Sequence, residues 1–212
     1  MNRAELKALS KEQIKGKIGI LFLITLIIAV VGGLASAILS LIPVVGSVAA
    51  AIIVTPAFSL SLVRVYLLVT DGCKPEAGDA FSGFDDFWSA FKVTFLVGLF
   101  TMLWSLLFWI PGIIKGLSYS QAMYILAENK GKPALECINE SKAMTNGHKG
   151  ELFVLALSFF GWALLGAITF GIAYIWILPY MQATYTNVYR WLKAEYYGEA
   201  EVATDYIEEA AE

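Results

Sequence analysis

The chain has 212 residues, of which 58% are hydrophobic and 16% charged, with a mean hydropathy of +0.67 and a formal net charge of −3 at pH 7. Soluble domains carry about a quarter charged residues, so this composition excludes an ordinary water-soluble domain and describes a membrane protein long enough for one helical bundle. Nucleic-acid binding has no support either, because the basic residues follow the edges of apolar runs and form no patch of their own.

Residues Met1 to Lys17 carry Arg3, Lys7, Lys11, Lys15 and Lys17, and Ala4, Leu6, Leu9, Ile14 and Ile18 give the segment a partly amphipathic face. It reads either as a short helix lying on an anionic membrane surface or as a basic topology signal. The apolar run from Ile18 to Ile42 follows. Ala35-Ser36-Ala37 resembles a signal-peptide cleavage site. The long basic region and the membrane-like remainder of the chain instead predict an uncleaved first crossing at about 18–42. Pro43 and Gly46 predict a tight turn, and a second crossing spans about 47–69. The connection from Thr70 to Ser89 contains Asp71-Gly72, Pro75 and Gly78. It ends in Phe81-Ser82-Gly83-Phe84-Asp85-Asp86-Phe87-Trp88, an aromatic and polar mixture suited to the headgroup zone.

The apolar stretch from Phe91 to Ala127 is too long for one crossing. Proline removes a backbone donor and glycine tolerates a bend, so Pro111-Gly112 predicts a turn between crossings at about 91–110 and 112–127. In the next connection, Glu128 to Gly150, the spacing of Ala134, Leu135, Ile138 and Met144 predicts a short helix beginning after Pro133. Crossings five and six are predicted at about 152–168 and 172–192, with a turn near Thr169-Phe170-Gly171 and a kink at Pro179. Residues 199–212 hold six acids and no base, the pattern of a solvated appendage or frayed helix.

These elements predict an all-α polytopic bundle of six transmembrane helices, with one integral membrane domain over 1–198 and an acidic tail. Lys and Arg concentrate at the amino terminus, in the two long connections and after the sixth crossing. Positive-inside reasoning therefore places both termini in the cytoplasm of a bacterial plasma membrane. A weak repeat supports the plan. Pro56 and Tyr66 share an offset with Pro179 and Tyr189, and Ile114 and Tyr124 match it in the middle. Each unit then runs into a glycine: Gly72, Gly131 or Gly198. Three pseudo-repeated hairpins, each preceded by an amphipathic interfacial segment, are the expectation.

The second crossing of each hairpin is the more polar one. Ser59, Ser61 and Arg64 lie in the first, Lys115, Ser118, Ser120 and Gln121 in the second, and Gln182, Thr184, Thr186 and Asn187 in the third. Such groups point away from lipid, and either join helices by hydrogen bonds or line a cavity. On the cavity reading, Ser59, Lys115, Ser118, Gln121, Gln182 and Thr186 are the candidate ligand-binding residues of the bundle interior. No catalytic set is expected. His148 is the single histidine, and Asp85-Asp86, with Asp71, Glu76 and Asp79, lacks the spacing of a metal site. Cys73 and Cys137 belong to no ligand pattern, and no GxSxG, HExxH or P-loop occurs. The expectation is a non-enzyme with no cofactor or metal.

The run Trp109-Ile110-Pro111-Gly112-Ile113-Ile114-Lys115 resembles a family of bacterial integral membrane proteins, found mainly in Firmicutes and known as domain of unknown function 975. Further matching pieces are Phe81-Ser82-Gly83-Phe84, Tyr119-Ser120-Gln121-Ala122, Ser141-Lys142-Ala143-Met144, Ser158-Phe159-Phe160-Gly161-Trp162 and Pro179-Tyr180. The resemblance implies a multi-pass plasma-membrane protein and brings no catalytic residues with it. The chain is also distantly similar to membrane domains attached to some glycerophosphodiesterases, but it lacks their catalytic part. Two functions are therefore expected as alternatives. One is a closed bundle that binds membrane lipids or an amphipathic peptide, or supports a membrane-protein partner. The other is a small transporter or channel component, with a water path flanked by Ser59, Lys115 and Gln182.

Overall fold

The computed structural model describes residues 3–39, 41, 45–107, 109–169 and 171–198, and every regular element among them is helical. In chain order these are α1 (Arg3–Ile14), α2 (Ile18–Leu39), α3 (Val45–Thr70), a 3-10 helix (Ala77–Asp86), α4 (Phe87–Leu107), α5 (Trp109–Tyr119), α6 (Ala122–Glu128), α7 (Ala134–Met144), α8 (Lys149–Ile168) and α9 (Tyr174–Tyr197). Among the described residues, three stretches are long and apolar enough to cross a membrane: Ile18–Leu39, Ala77–Leu106 and Lys149–Ile168. Their side chains are largely on the outside, with Leu34, Ile38, Met102, Leu106, Phe160 and Ile168 all exposed. In water such continuous apolar faces would drive aggregation, whereas in lipid they need no covering.

α3, α6 and α9 form the inside of the bundle. Leu60, Val65 and Tyr66 of α3, Ile125 and Leu126 of α6, and Val188, Tyr189 and Leu192 of α9 are buried together. α3 touches both α6 and α9, and the rings of Tyr124 and Tyr189 stack with centroids 5.1 Å apart. The short elements then pack on these inner helices. α1 lies on α9, the 3-10 helix on α3, and α7 on α6. The helical period explains two of these contacts. α1 buries Ser10 and Ile14 while Leu9 faces out. α7 buries Ala134, Cys137, Ile138, Ser141 and Met144, while Leu135, which the predicted stripe included, is exposed. The 3-10 helix reaches α3 through Gly83, where a Cβ would lie 2.0 Å from the Ala57 carbonyl oxygen.

The boundaries differ from expectation in the middle of the chain. α5 begins at Trp109 and runs through Pro111-Gly112, so the α4–α5 break comes before the proline. Pro111 occupies the first turn of α5, where its missing N–H has no helical partner to lose. Gly112 sits against Ser105 of α4, whose Cα lies 2.9 Å from where a Cβ would be, so its role is close approach between the two helices. The predicted fourth crossing, 112–127, is not one helix but two, parted at Ser120-Gln121. The cause is α7. Ser141 donates its hydroxyl to the Ser118 carbonyl at 2.8 Å and accepts the Gln121 N–H at 3.1 Å, occupying backbone groups that an unbroken helix would pair internally. Gly46 belongs to the first turn of α3 and not to the turn before it. Pro43, Phe170 and the acidic tail at 199–212 lie outside the described residues.

Candidate functional site

The polar residues of the inner helices are used at the joints with the short elements. Asn187 of α9 donates to the Ser10 hydroxyl at 2.9 Å and to Gln13 Oε1 at 2.7 Å on α1. On α3, the Ser61 hydroxyl accepts the Gly83 N–H at 2.8 Å, and Arg64 donates to the Ser82 carbonyl, so that the 3-10 helix is held at two points. The third joint is Ser141 with Ser118 and Gln121. Each hydrogen bond satisfies a group for which lipid offers no substitute.

The six candidate ligand residues are distributed among these joints and the surface. Ser118 and Gln121 come together at Ser141. The Ser118 hydroxyl turns back to the Ile114 carbonyl at 2.8 Å, and the Gln121 side-chain amide donates to the Ser120 hydroxyl at 2.7 Å. The Gln121 amide oxygen is buried without a hydrogen-bond partner among the described residues. Thr186 is buried and donates to the Gln182 carbonyl at 3.0 Å, within its own helix. Gln182 is half-buried. Ser59 lines a groove between α2 and α3, and the Lys115 ammonium lies 4.6 Å from the centre of the Trp104 ring on α4. Sequence reasoning gave no role to Ser10, Gln13, Gly83 or Ser141. Gly83 and Ser141 lay within the matching pieces quoted for the family, but their partners are distant in sequence.

At the ends of the inner helices one ion network joins all three. Arg190 of α9 pairs with Asp71, just past α3, and reaches Glu128 of α6 at 3.6 Å, while Lys193 reaches the same Glu128 at 3.0 Å. The Tyr189 hydroxyl donates to Glu128 as well. Lys17 donates to the Gly72 and Cys73 carbonyls at 3.1 and 2.9 Å, where the α3 dipole favours a cation. His148 stands between Glu151 and Glu195, at 3.2 and 3.1 Å, edge-on to Trp191. Burial pushes the Cys137 thiol of α7 up from 9.0 to about 11.

Among the described residues, grooves lie on two sides of α2. One, of about 150 Å³, is lined by Phe22, Thr25, Leu26, Ile175, Leu178 and Pro179 among others, between α2 and α9. The other, of about 300 Å³, is lined by Ile28, Gly32, Ser36, Thr55, Phe58 and Ser59 among others, between α2 and α3. Both linings are mainly apolar and suit hydrocarbon chains. Among the described residues no three His, Cys, Asp or Glu side chains are arranged to hold a metal ion.

A family model described as "Protein of unknown function (DUF975)" matches residues 1–115 and 106–196. No curated protein and no solved structure matches the chain.

Proposed function

The chain belongs to the DUF975 family, whose function is unknown, and from that premise we propose that it is a six-crossing, non-enzymatic protein of a bacterial plasma membrane. On this reading both termini are cytoplasmic. Three pseudo-repeated hairpins (α2–α3, α4 with α5–α6, and α8–α9) surround an approximate threefold axis. The protein binds membrane lipid or an amphipathic peptide in its lateral grooves, or supports a membrane-protein partner.

The observation that carries this reading is the order of packing. Each short element lies on the inner helix of the preceding hairpin, and α1, which has none before it, lies on α9 of the last. That is the contact pattern of a closed ring. Gly72, Gly131 and Gly198, with φ of +85°, +79° and +91°, occupy matching places after the three inner helices. Tyr66, Tyr124 and Tyr189 are all buried within them. The inner helices are also less apolar than the outer ones because short elements and neighbours cover their polar groups. Among the described residues, α2, the Ala77–Leu106 stretch and α8 are therefore the long apolar ones, and α9 is not. Binding is favoured over transport because Ser61, Ser118, Gln121 and Asn187 are engaged at the joints. The transporter reading draws on the broken α5–α6 helix and on Pro56 and Pro179 within α3 and α9.

Native mass spectrometry of protein gently extracted from its own membrane tests the proposal. A recurrent bound lipid, peptide or membrane protein is expected. A bare bundle that drives saturable solute flux in proteoliposomes would replace the proposal with the transporter reading.

A further inference from the structure

α1 is divided by charge as well as by polarity. At 3.6 residues per turn, Arg3, Lys7 and Lys11 fall within an arc of about 80° that starts between Ser10 and Ile14 of the buried face and runs off one side of it, while Glu5 and Glu12 fall on the far side. The basic edge faces a seam with α8 and α9. Lys7 donates to the Ser158 hydroxyl at 2.7 Å and lies 4.5 Å from the centre of the Phe159 ring, both on α8. The Lys11 ammonium lies 5.4 Å from the ring of Tyr180 on α9. Burial, and then the charges of Arg3 and Lys11, hold the Lys7 ammonium below the usual lysine range, so the three cations are close enough to repel.

Elsewhere, Lys17 and Arg64 rest on backbone carbonyls, and three further partly buried cations pair with carboxylates. Lys132 pairs with Glu140, Lys193 with Glu128, and Arg190 with Asp71. Among the described residues no carboxylate pairs with Arg3, Lys7 or Lys11. Aromatic faces and one hydroxyl satisfy such groups only in part. Depth matters too. Ser158 is six residues beyond Leu152, or about 9 Å along α8, close to the depth of about 5–10 Å at which interfacial helices lie. On the same side of α8 as Ser158, Val154, Trp162 and Leu165 are exposed at helical spacing.

We propose that the Arg3, Lys7 and Lys11 edge of α1 holds the phosphate of an anionic phospholipid from the cytoplasmic leaflet, whose acyl chains run along Val154, Trp162 and Leu165 of α8. The assignment rests on the six-crossing reading, which puts α1 at the cytoplasmic surface. The phosphate supplies the missing countercharge and accepts the remaining ammonium N–H groups. A zwitterionic lipid brings its own cation to the same edge and is disfavoured.

The test uses the full chain in nanodiscs of phosphatidylglycerol and phosphatidylcholine in equal parts, with retained lipid read by native mass spectrometry. Phosphatidylglycerol should be enriched and should raise the melting temperature. Lys7→Gln with Lys11→Gln should weaken its retention roughly 25-fold, about five-fold for each cation removed near an anionic surface. Lys7→Arg with Lys11→Arg should keep it. Lys74→Gln with Lys130→Gln, an equal change of charge at two exposed connection residues, should also leave it unchanged. Equal loss in both glutamine pairs, no loss in either, no thermal shift with phosphatidylglycerol, or displacement by millimolar inorganic phosphate would each overturn the assignment. Alkaline extraction separates the two readings. A chain stripped from membranes by alkali fails the six-crossing reading, and one that stays without preferring phosphatidylglycerol fails this proposal alone.

Discussion

At Gly83 a single hydrogen in place of a methyl group lets one element touch another. A Cβ there would stand 2.0 Å from the Ala57 carbonyl oxygen, 2.7 Å from the Ser61 nitrogen and 2.8 Å from the Ser61 hydroxyl. Two of these are backbone atoms, which no change of rotamer can move aside. Gly83→Ala should therefore push the 3-10 helix off α3, lengthen the Gly83–Ser61 hydrogen bond and cost about 1–3 kcal/mol. Gly98 of α4 is the matched control, since a Cβ there meets nothing within 4 Å. Gly98→Ala should be neutral or stabilising by up to about 1 kcal/mol, as alanine is the better helix former. Thermal unfolding in detergent distinguishes the two, and equal responses would remove the close-approach account. In the sequence, Gly83 stood out only as a glycine among aromatic residues. Nothing local to Phe81-Ser82-Gly83-Phe84 names Ala57 as the surface it must meet.

Among elements, α7 shows what periodicity can and cannot reveal. Its start after Pro133 and most of its buried stripe follow from the spacing of Ala134, Ile138 and Met144. Its effect on α5 and α6 does not, because Ser141 breaks a helical ladder twenty residues upstream and only the folded chain brings them together. Pro111 misleads for a related reason. Proline marks a helix boundary without saying on which side the helix lies, and here it sits within the first turn. Ser141 also yields a sharp expectation. Ser141→Ala leaves the buried Gln121 N–H without its partner and the Ser118 carbonyl with only the Thr145 hydroxyl at 3.4 Å, at a cost of about 1–3 kcal/mol. The melting temperature should fall and amide exchange at Gln121 should quicken. An unchanged melting temperature with Gln121 still protected would show that α5 and α6 part for some other cause.

Across the whole molecule, the proposed repeat has its trace in spacing, since ten residues separate Pro56 from Tyr66 and Pro179 from Tyr189. The packing order could not, because α1 meets α9 only after nearly the entire chain has folded. The chain carries its own reporter for sidedness. Cys73 is exposed in the turn after α3, while Cys137 is buried in α7 with its thiol pushed up to about 11. A thiol must ionise to react, so at pH 7 only about one Cys137 in ten thousand is reactive, before burial is counted. A membrane-impermeant maleimide should then label Cys73 in inside-out vesicles and leave intact cells unlabelled. In a Cys73→Ser background, Leu41→Cys and Ile172→Cys, both at exposed positions between paired helices, should react in intact cells. Six crossings require that opposition, since one crossing, α3, separates Cys73 from residue 41 and three, α4, α5–α6 and α8, separate it from residue 172. Labelling of Cys73 in intact cells, or of Cys73 and residue 172 from the same side, would remove both the six crossings and the cytoplasmic placing of α1.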